Sequence, residues 1–389
     1  MIRVGVVGVG KMGLSHLAIL GAHPEVEVAL VCDSSTYLTS ILGKNTPFRC
    51  VRDYSELLAQ ESQLDAIVVA TPTKSHYPLV KAALEHGIHV FCEKPLTLST
   101  EDSSDLVTLA KERCVVTQVG YHNRFVASFA EVKRLLEFGA IGRITHVRAE
   151  AYGPVVIRQQ SATWRSRKDE GGGSLYDYAA HPLDLLSWYL GEPQSASGTV
   201  LGKIFSAETD DEVYSTLHYP GGVSAQLSVN WSDESYRKMA TTMTLWGTKG
   251  RITADRQECQ VYLRDPATVP PGYTAGWNTR YTTDLTEPVW FYLRGEEYSA
   301  ELDYFVQSVL TAKSSGVLRS QNSFVSAAAT DTAIDLILRD SRDGQRTGPR
   351  TKDLTPPVRD RRLRAFAKEI SARLETRTIG RLKSLRSRA

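Results

Sequence analysis

The sequence predicts an α/β fold, with an N-terminal doubly wound parallel sheet and a C-terminal α+β domain that carries a large, mainly antiparallel open sheet. Three observations support this prediction. In the first 120 residues, short runs rich in Val and Ile alternate with helix-like segments, as in parallel sheets that are covered on both faces. A glycine-rich turn directly follows the first run. Beyond about Arg143, polar and apolar residues alternate between turn signals, which is typical of antiparallel strands.

The N-terminal elements alternate strictly along the chain. Six apolar runs are predicted strands, at 2–9, 26–32, 48–51, 66–69, 89–92 and 115–119. Segments with helical periodicity lie between them, at 11–22, 54–60, 76–86 and 100–113. This order predicts a doubly wound sheet, in which ligands bind at the carboxyl ends of the strands.

The C-terminal elements begin with a predicted hairpin. Residues 209–219 and 223–231 have strand patterns and are joined by Pro220, Gly221 and Gly222, a turn sequence. Further strands are predicted at 239–246, 251–254 and 260–263, and helices at 299–310 and 323–338. We expect three regions: residues 1–122, a substrate-binding and oligomerisation domain at 123–345, and a tail at 346–389.

The tail differs from the rest in charge. From Arg350 onward it holds 13 Lys or Arg and 4 Asp or Glu, whereas the whole chain has a net charge of +2. Leu363, Phe366, Ile370 and Leu374 recur at helical spacing among these charges, which predicts a basic amphipathic helix. Such a helix docks on its own chain or a partner subunit, or it contacts an anionic surface. With almost no aromatic residues, the tail is poorly suited to stacking on nucleic acid bases, so we expect no specific nucleic acid partner.

Composition indicates an ordinary globular protein. Hydrophobic residues make up 42% and charged residues 23% of the 389 positions, which predicts two domains without a membrane span. The five cysteines are odd in number and form no CxxC pair, and the N-terminus lacks a secretory pattern. These features favour the reducing cytoplasm.

The glycine-rich turn has the spacing of a dinucleotide-binding loop. Gly8, Gly10 and Gly13 follow an apolar strand and open a helix pattern, and Asp33 ends the second strand. In this arrangement the helix N-terminus faces a pyrophosphate and the carboxylate accepts ribose hydroxyls. Because Ser34 and Ser35 follow Asp33 and no Arg is there to hold a 2′-phosphate, the motif favours NAD, and NADP is less favoured.

Seven motifs in order resemble the Gfo/Idh/MocA family, which includes glucose-fructose oxidoreductase and inositol dehydrogenase. They are GVGKMG (8–13), ATPTKSH (70–76), EKP (93–95), GYHNRF (120–125), GAIGRI (139–144), TWR (163–165) and GGGSLYDYAAHPLD (171–184). The resemblance covers about residues 1–345. It implies a Rossmann domain, followed by an α/β domain whose open sheet often forms subunit contacts, and hydride transfer between NAD(P) and a hydroxyl or keto carbon of a sugar or cyclitol.

The resemblance also implies the site residues. The catalytic set is Lys94, Asp177 and His181. The cofactor-binding set is Gly8, Gly10, Lys11, Met12, Gly13, Asp33, Thr71, Pro72, His76, Glu93 and Lys94. Two departures stand out: Ala179 occupies a position where the family often has glycine, and the basic tail has no counterpart in the common pattern.

These residue types suit alcohol oxidation. Histidine titrates near neutrality, so His181 can hold the hydroxyl proton in either direction. Asp177 lies four residues earlier, where a shared helix face would let it fix the imidazole, and Lys94 can stabilise developing alkoxide charge. Pro182 disfavours helical geometry at His181, so the helix either bends there or starts at Pro182. Asp184 is close in sequence, but the sequence offers no further convergent ligands, and we expect no metal.

A further set is expected to face the substrate: Asn123, Arg124, Tyr152, Trp164, Arg165 and His181. The approach to the glycines at 171–173 is basic, since it holds Arg158, Arg165, Arg167 and Lys168. This charge favours a nucleotide-linked sugar as the substrate; the alternative is that these side chains are merely solvated. We expect a homodimer or homotetramer. The alternative to an enzyme is a catalytically silent NAD-binding sensor or scaffold protein.

Overall fold

The computed structural model describes residues 1–59, 64–155 and 164–347. The basic tail and Arg158 lie outside the described residues, so the interpretations placed on them stay predictions. Among the described residues, no helix is long and apolar enough to cross a membrane. The five cysteines are free, and Cys32, Cys92 and Cys259 are buried.

The N-terminal part is a six-stranded parallel sheet, which confirms the doubly wound prediction. The strands are β1 Ile2–Val7, β2 Val26–Cys32, β3 Cys50–Val51, β4 Ala66–Val69, β5 His89–Cys92 and β6 Thr117–Val119. Their order in the sheet is β3-β2-β1-β4-β5-β6. The order reverses direction between β1 and β4, and in sheets of this kind ligands bind outside the carboxyl ends at that switch point.

Five helices connect these strands. They are α1 Lys11–Gly21, α2 Thr36–Asn45, α3 Tyr54–Leu58, α4 His76–Glu85 and α5 Thr100–Glu112. Helix α2 was not predicted, because its mixture of Thr, Ser and apolar residues has weak periodicity. Ser35 caps it by accepting a hydrogen bond from the Leu38 N–H, which is a typical helix-start signal.

The C-terminal part is built on an eight-stranded, mainly antiparallel sheet, also as predicted. Its strands are β7 Ile144–Tyr152, β8 Ser195–Gly202, β9 Glu212–His218, β10 Ser224–Asn230, β11 Ala240–Gly247, β12 Gly250–Ala254, β13 Glu258–Leu263 and β14 Gly276–Tyr281. Their order is β14-β13-β12-β11-β7-β10-β9-β8. The predicted hairpin is β9–β10, and the one parallel pair is β7–β10.

The remaining helices lie either on one face of this eight-stranded sheet or against the N-terminal sheet. They are α6 Ala127–Phe138, α7 Ala180–Leu190, α8 Thr282–Leu285, α9 Glu296–Ser315 and α10 Phe324–Thr347. Helices α6 and α7 bury their apolar sides in the same core as alternate residues of strand β7 and of strands β9 to β13, as expected for a sheet that is covered on one face.

Helix α9 packs on the N-terminal sheet although it belongs to the C-terminal half of the chain. Leu302, Phe305, Val306 and Val309 share a buried core with residues of α1 and of strands β1, β2, β4 and β5. The opposite face of that sheet is covered by α4 and α5. The parallel sheet is therefore completed by a distant segment, and the expected division at residue 122 stays a prediction.

Candidate active site

A cleft of about 620 Å³ lies where the carboxyl ends of the parallel strands face the second sheet. Lys11, Met12, Glu93 and Lys94 line it from the N-terminal part, and His181 lies among the residues that line it from the C-terminal part. The structure thus brings a cofactor-type loop and the predicted catalytic histidine to one cavity. Among the described residues, no group of three or more His, Cys, Asp or Glu side chains could hold a metal ion.

The glycine loop at the end of β1 has the shape of a cradle. Gly8 has φ +85°, and a Cβ atom at Gly13 would lie 1.8 Å from the Gly8 carbonyl oxygen. Only glycine fits both positions. A Cβ at Gly10 would meet nothing within 4 Å, and helix α1 begins at the next residue. The open space in front of this helix N-terminus suits a pyrophosphate.

Asp33 lies at the same edge of the parallel sheet, beside the glycine loop. The Val9 N–H donates to its Oδ2 atom at 2.7 Å, and the Ser35 N–H donates to its Oδ1 atom at 2.8 Å. Each oxygen keeps a second lone pair for a ribose hydroxyl. These acceptor oxygens therefore fit the ribose hydroxyls of a dinucleotide, while the negative charge opposes a 2′-phosphate.

Thr71, Pro72 and His76 follow strand β4, but none of them is among the described residues that line the cleft. The His76 ring is buried, with Nδ1 2.9 Å from the Pro95 carbonyl oxygen and Nε2 2.9 Å from that of Thr71. Burial lowers the pKa of His76, and a neutral imidazole donates to one of these carbonyls at a time. The ring thus ties the loop after β4 to the loop after β5. The Thr71 hydroxyl oxygen is buried and has no hydrogen-bond partner among the residues that the structure describes, and the Thr71 methyl group lies beside Gly8.

Glu93 is held by a residue that the sequence analysis did not single out. The buried His16 ring of α1 donates from Nε2 to Oε1 of Glu93 at 2.6 Å. Burial opposes ionisation of Glu93, yet the hydrogen bond and charge of His16 and the charge of Lys94 lower its pKa overall. A histidine inside an amphipathic helix gives no distinctive sequence signal, which is why His16 was missed.

Lys94, Asp177 and Arg165 form one network, in which Asp177 is buried and Arg165 is partly exposed. The Lys94 Nζ atom donates to Oδ1 of Asp177 at 2.8 Å and to its carbonyl oxygen at 2.9 Å, and Arg165 Nε donates to Oδ2 at 2.7 Å. Burial opposes ionisation of Asp177, but the two cations lower its pKa to about 2. The carboxylate is therefore charged, and one N–H of Lys94 remains for a ligand.

His181 lies beside this network without bonding to it. Its ring is buried, its Nδ1 atom has no hydrogen-bond partner in the described part of the chain, and it lines the cleft. Burial, and then the charges of Lys94 and Arg256, lower its pKa well below 6.5. The imidazole is thus neutral at pH 7 and can accept a proton.

The expected contact between Asp177 and His181 is not formed, which corrects the sequence prediction. Residues Leu175–Ala179 form a π-helix that runs directly into α7. The wider turn changes the angle between residues four apart, and both Asp177 oxygens are taken by Lys94 and Arg165. The helix does not start at Pro182: α7 begins two residues earlier, at Ala180, and Pro182 is its third residue, where its missing N–H leaves the helical ladder one bond short.

The prediction that Arg124 faces the substrate is also wrong, because its side chain does not face the cleft. Its side chain is 1% exposed and donates from Nε and Nη2 to the two oxygens of Asp184, at 2.9 and 2.6 Å. It also reaches the Gln321 carbonyl oxygen and the Ser326 hydroxyl. This pair joins the segment before α6 to α7 and α10. Asn123 is likewise buried and is not among the described residues that line the cleft, and within the described ranges its side-chain amide has no hydrogen-bond partner.

Of the other predicted substrate residues, Tyr152 and Trp164 are not among the described residues that line the cleft. Arg165 lines the cleft, and its guanidinium lies over the Trp164 ring at 4.7 Å. The Tyr152 hydroxyl hydrogen-bonds to Ser228 on the neighbouring strand, and its ring stacks on Tyr236.

The glycines at 171–173 allow close packing within the protein. A Cβ at Gly172 would lie 2.3 Å from the Arg165 carbonyl oxygen, and one at Gly173, where φ is +112°, would lie 2.5 Å from Asp210. The run therefore lets the loop pack against its own chain.

Several cleft residues were missed by sequence reasoning. The His122 ring lies edge-on to His181 at 4.9 Å and stacks on Tyr298 at 4.7 Å. Arg256 and Arg294 line the same cavity. His122 lies within the GYHNRF motif and could have been found there. Arg256 and Arg294 come from turns and Tyr298 from the start of α9, and none of the three has a motif of its own.

Comparisons with known proteins agree with this geometry. A family model described as an oxidoreductase family with an NAD-binding Rossmann fold matches residues 2–121, and a GFO/IDH/MocA C-terminal domain matches residues 129–253. The 2,7-anhydro-N-acetylneuraminate hydratase of Escherichia coli (strain K12) is 31% identical, over 68% of this chain and 70% of the relative. The dTDP-3,4-didehydro-2,6-dideoxy-alpha-D-glucose 3-reductase of Streptomyces antibioticus is also 31% identical, over 66% and 76%.

Solved structures share the architecture. Levoglucosan dehydrogenase in complex with NADH superposes with a TM-score of 0.76 at 23% identity, over 88% of this chain and 97% of that chain. GenD2 from gentamicin A biosynthesis, in complex with NAD, gives a TM-score of 0.69 at 25% identity, over 88% and 95%.

Proposed function

The chain belongs to the Gfo/Idh/MocA family of oxidoreductases, with an NAD-binding Rossmann domain at its N-terminus, and on this premise we propose that it transfers a hydride between NAD and a secondary alcohol or ketone carbon of a sugar, nucleotide sugar or cyclitol. The family resemblance drawn from the motifs is thus confirmed. Two relatives support this range of substrates: one is named as a dTDP-sugar reductase and the other as a scyllo-inositol 2-dehydrogenase.

The residues of the glycine loop would hold the dinucleotide. The N-terminus of α1 would bind the pyrophosphate, with Lys11 beside it, and Asp33 would bind a ribose. The free second lone pairs of Asp33, the unfilled space at Gly10 and the unpartnered Thr71 hydroxyl support this assignment. We propose a preference for NAD over NADP, because a carboxylate at position 33 repels a 2′-phosphate.

His181 is proposed as the general acid–base. Its neutral imidazole takes the proton of the substrate hydroxyl during oxidation and returns it during reduction. Lys94, fixed by Asp177, donates its remaining N–H to the same hydroxyl oxygen and stabilises negative charge as it develops. Bound NAD supplies the carbon that accepts or returns the hydride.

One observation carries this proposal. A buried histidine with a lowered pKa and an unpartnered ring nitrogen shares the cleft with an oriented lysine and the dinucleotide loop. A scaffold or sensor protein has no need of an uncharged buried base at this place. The silent NAD-binding protein remains the alternative that the following experiment decides.

The experiment measures hydride transfer and cofactor binding separately. NADH binding is followed by fluorescence, and NAD reduction at 340 nm is screened across cyclitols, free sugars and nucleotide sugars, for the wild type and His181→Asn. We expect turnover of at least one compound class by the wild type, and its loss in the variant with NADH binding retained. NADH binding without turnover of any class would instead support the sensor.

We further propose a homodimer or homotetramer that forms through the uncovered face of the eight-stranded sheet. Trp277 and Tyr281 on the edge strand β14 are exposed, and the His146 ring stacks on Trp246. Aromatic residues on an open sheet face are typical of interfaces. The free cysteines favour the cytoplasm as the location.

A further inference from the structure

The cleft has a strong excess of positive charge. Among the described residues that line it, seven have Lys or Arg side chains and two have carboxylates. Both carboxylates are already engaged, since Glu93 is paired with His16 and Asp177 with Lys94 and Arg165. A neutral sugar would leave this excess uncompensated.

Part of the excess belongs to the dinucleotide and to the catalytic network. Lys11 lies at the start of α1, where the pyrophosphate is expected, and Lys94 and Arg165 are bound to Asp177. Of the described lining residues, four further cations remain on other walls of the cleft: Arg237, Lys238, Arg256 and Arg294. Arg256 comes from the β12–β13 turn, where it is paired with Glu297, and Arg294 lies two residues before α9.

Arg294 has no carboxylate partner among the residues that the structure describes. Its guanidinium lies 5.4 Å from the centre of the Tyr298 ring, and Tyr298 stacks on His122, which contacts His181. This series of ring contacts puts Arg294 on the side of the cleft that holds the catalytic base. The pyrophosphate is expected at the other end, at the glycine loop.

The backbone at Arg294 is unusual. Its φ is +68°, and Gly295 follows with φ +145°. Few residues other than glycine adopt a positive φ, and such conformations cluster at functional sites. The conformation directs an otherwise mobile side chain, and stacking on Tyr298 limits its freedom further.

We propose that Arg294 and Arg256 form a subsite for an anionic group of the substrate, so that this chain acts on an acidic sugar derivative that carries a carboxylate or a phosphate. The proposal rests on the proposed function and narrows its substrate class. Arg294 provides the unpaired charge, and Arg256 provides a second guanidinium whose partner Glu297 keeps it in place. The charge-assisted hydrogen bonds hold the acidic end while the reacting carbon faces His181.

The test compares three probes with the same glucosyl ring on the NADH-loaded protein. D-glucose is neutral, D-glucuronate carries a carboxylate and UDP-glucose carries phosphates. Calorimetric titration gives the Kd of each for the wild type, Arg294→Gln and Arg256→Gln. Arg113→Gln, an exposed arginine at the end of α5, is the matched control, and NADH fluorescence titration checks that each variant is folded.

We expect an acidic probe to bind the wild type at least about tenfold more tightly than D-glucose. Arg294→Gln should weaken that probe by about 10- to 100-fold, the loss of one charge-assisted hydrogen bond, and leave D-glucose and NADH unchanged. Whichever acidic probe shows the effect identifies carboxylate or phosphate as the group bound.

Three results would overturn the subsite: equal affinity for all probes, no binding of either acidic probe, or weaker NADH binding in Arg294→Gln with the probes unaffected. Turnover of a neutral sugar as efficient as that of its acidic counterpart would also overturn it, while upholding the proposed function. Conversely, acidic probes that bind through Arg294 without any hydride transfer would refute the function and leave the subsite standing.

Discussion

The Nζ atom of Lys94 lies 2.8 Å from Oδ1 of Asp177, with 13% and 6% of the two side chains exposed. The pair joins the carboxyl end of β5 to the π-helix before α7, so one ion pair fixes the lysine of the first domain against the histidine-bearing helix of the second. Breaking it should affect both stability and activity.

Asp177→Asn tests the energetic side of this pair. The folded pKa of about 2 is below the ordinary value of about 3.9, so the carboxylate stabilises the fold above about pH 4 and loses that contribution as pH falls towards 2. We expect a loss of about 2–3 kcal/mol in the free energy of unfolding at pH 7, measured by urea denaturation, and a smaller difference at pH 3. Asp169→Asn removes an exposed pair with Lys74 and should cost less than about 1 kcal/mol.

His181→Asn should lower kcat by about 10²- to 10⁴-fold, because the general base is lost, while the Kd of NADH stays within about twofold of the wild type. Steady-state kinetics and fluorescence titration measure the two quantities. His86→Asn, which changes an exposed histidine that bonds to the Ala82 carbonyl oxygen, serves as the control. Equal loss of activity in both variants would contradict the assigned role.

The pH profile of alcohol oxidation should report the lowered pKa of His181. The neutral imidazole is the active form, so kcat/KM falls as pH drops through that pKa, and the acid limb should lie well below pH 6.5 in the wild type. Arg256→Gln removes one charge that depresses the pKa, and the limb should move to higher pH. A limb that stays in place or moves to lower pH would argue against His181 as the titrating base.

Asp33→Asn should reduce the preference for NAD over NADP by about tenfold or more, because the repulsion of the 2′-phosphate disappears while an oxygen acceptor remains for the Val9 N–H. The ratio of the two dissociation constants measures this. Asp53→Asn, an exposed helix cap at the end of the neighbouring strand, should leave the ratio unchanged.

Arg124→Met should destabilise the fold by about 3–5 kcal/mol, since it leaves Asp184 buried without its partner. Adding Asp184→Leu should restore much of that loss in a double-mutant cycle. In the folded fraction, kcat/KM should change little. A large rise in KM without loss of stability would mean that Arg124 contacts substrate after all.

The fold was largely readable from local patterns. Strand, glycine loop and helix follow one another within the first 20 residues, and period-two alternation marks the β9–β10 hairpin. The site was partly readable, because Lys94, Asp177 and His181 belong to motifs and the structure brings them together. Asp33 was found from its position at the end of the second strand after the glycine motif.

The rest depends on contacts that no local pattern encodes. Arg124 finds its carboxylate 60 residues away, and the oxygens of Asp177 are taken by residues of two other segments. The π-helix arises where several weak preferences meet, so the four-residue spacing of Asp177 and His181 suggested a contact that the wider turn removes. Arg294 gave no signal in sequence because its conformation and its Tyr298 contact exist only in the folded chain.

Helix α9 has a consequence for biosynthesis. The face of the parallel sheet that it covers contains Val4, Val6 and Phe91, all translated long before Leu302 emerges from the ribosome. At about 5–20 residues per second, that face waits on the order of 10–40 s for its cover. During this interval the nascent chain exposes an apolar surface to which chaperones bind, and any truncation before α9 would leave it permanently open to aggregation.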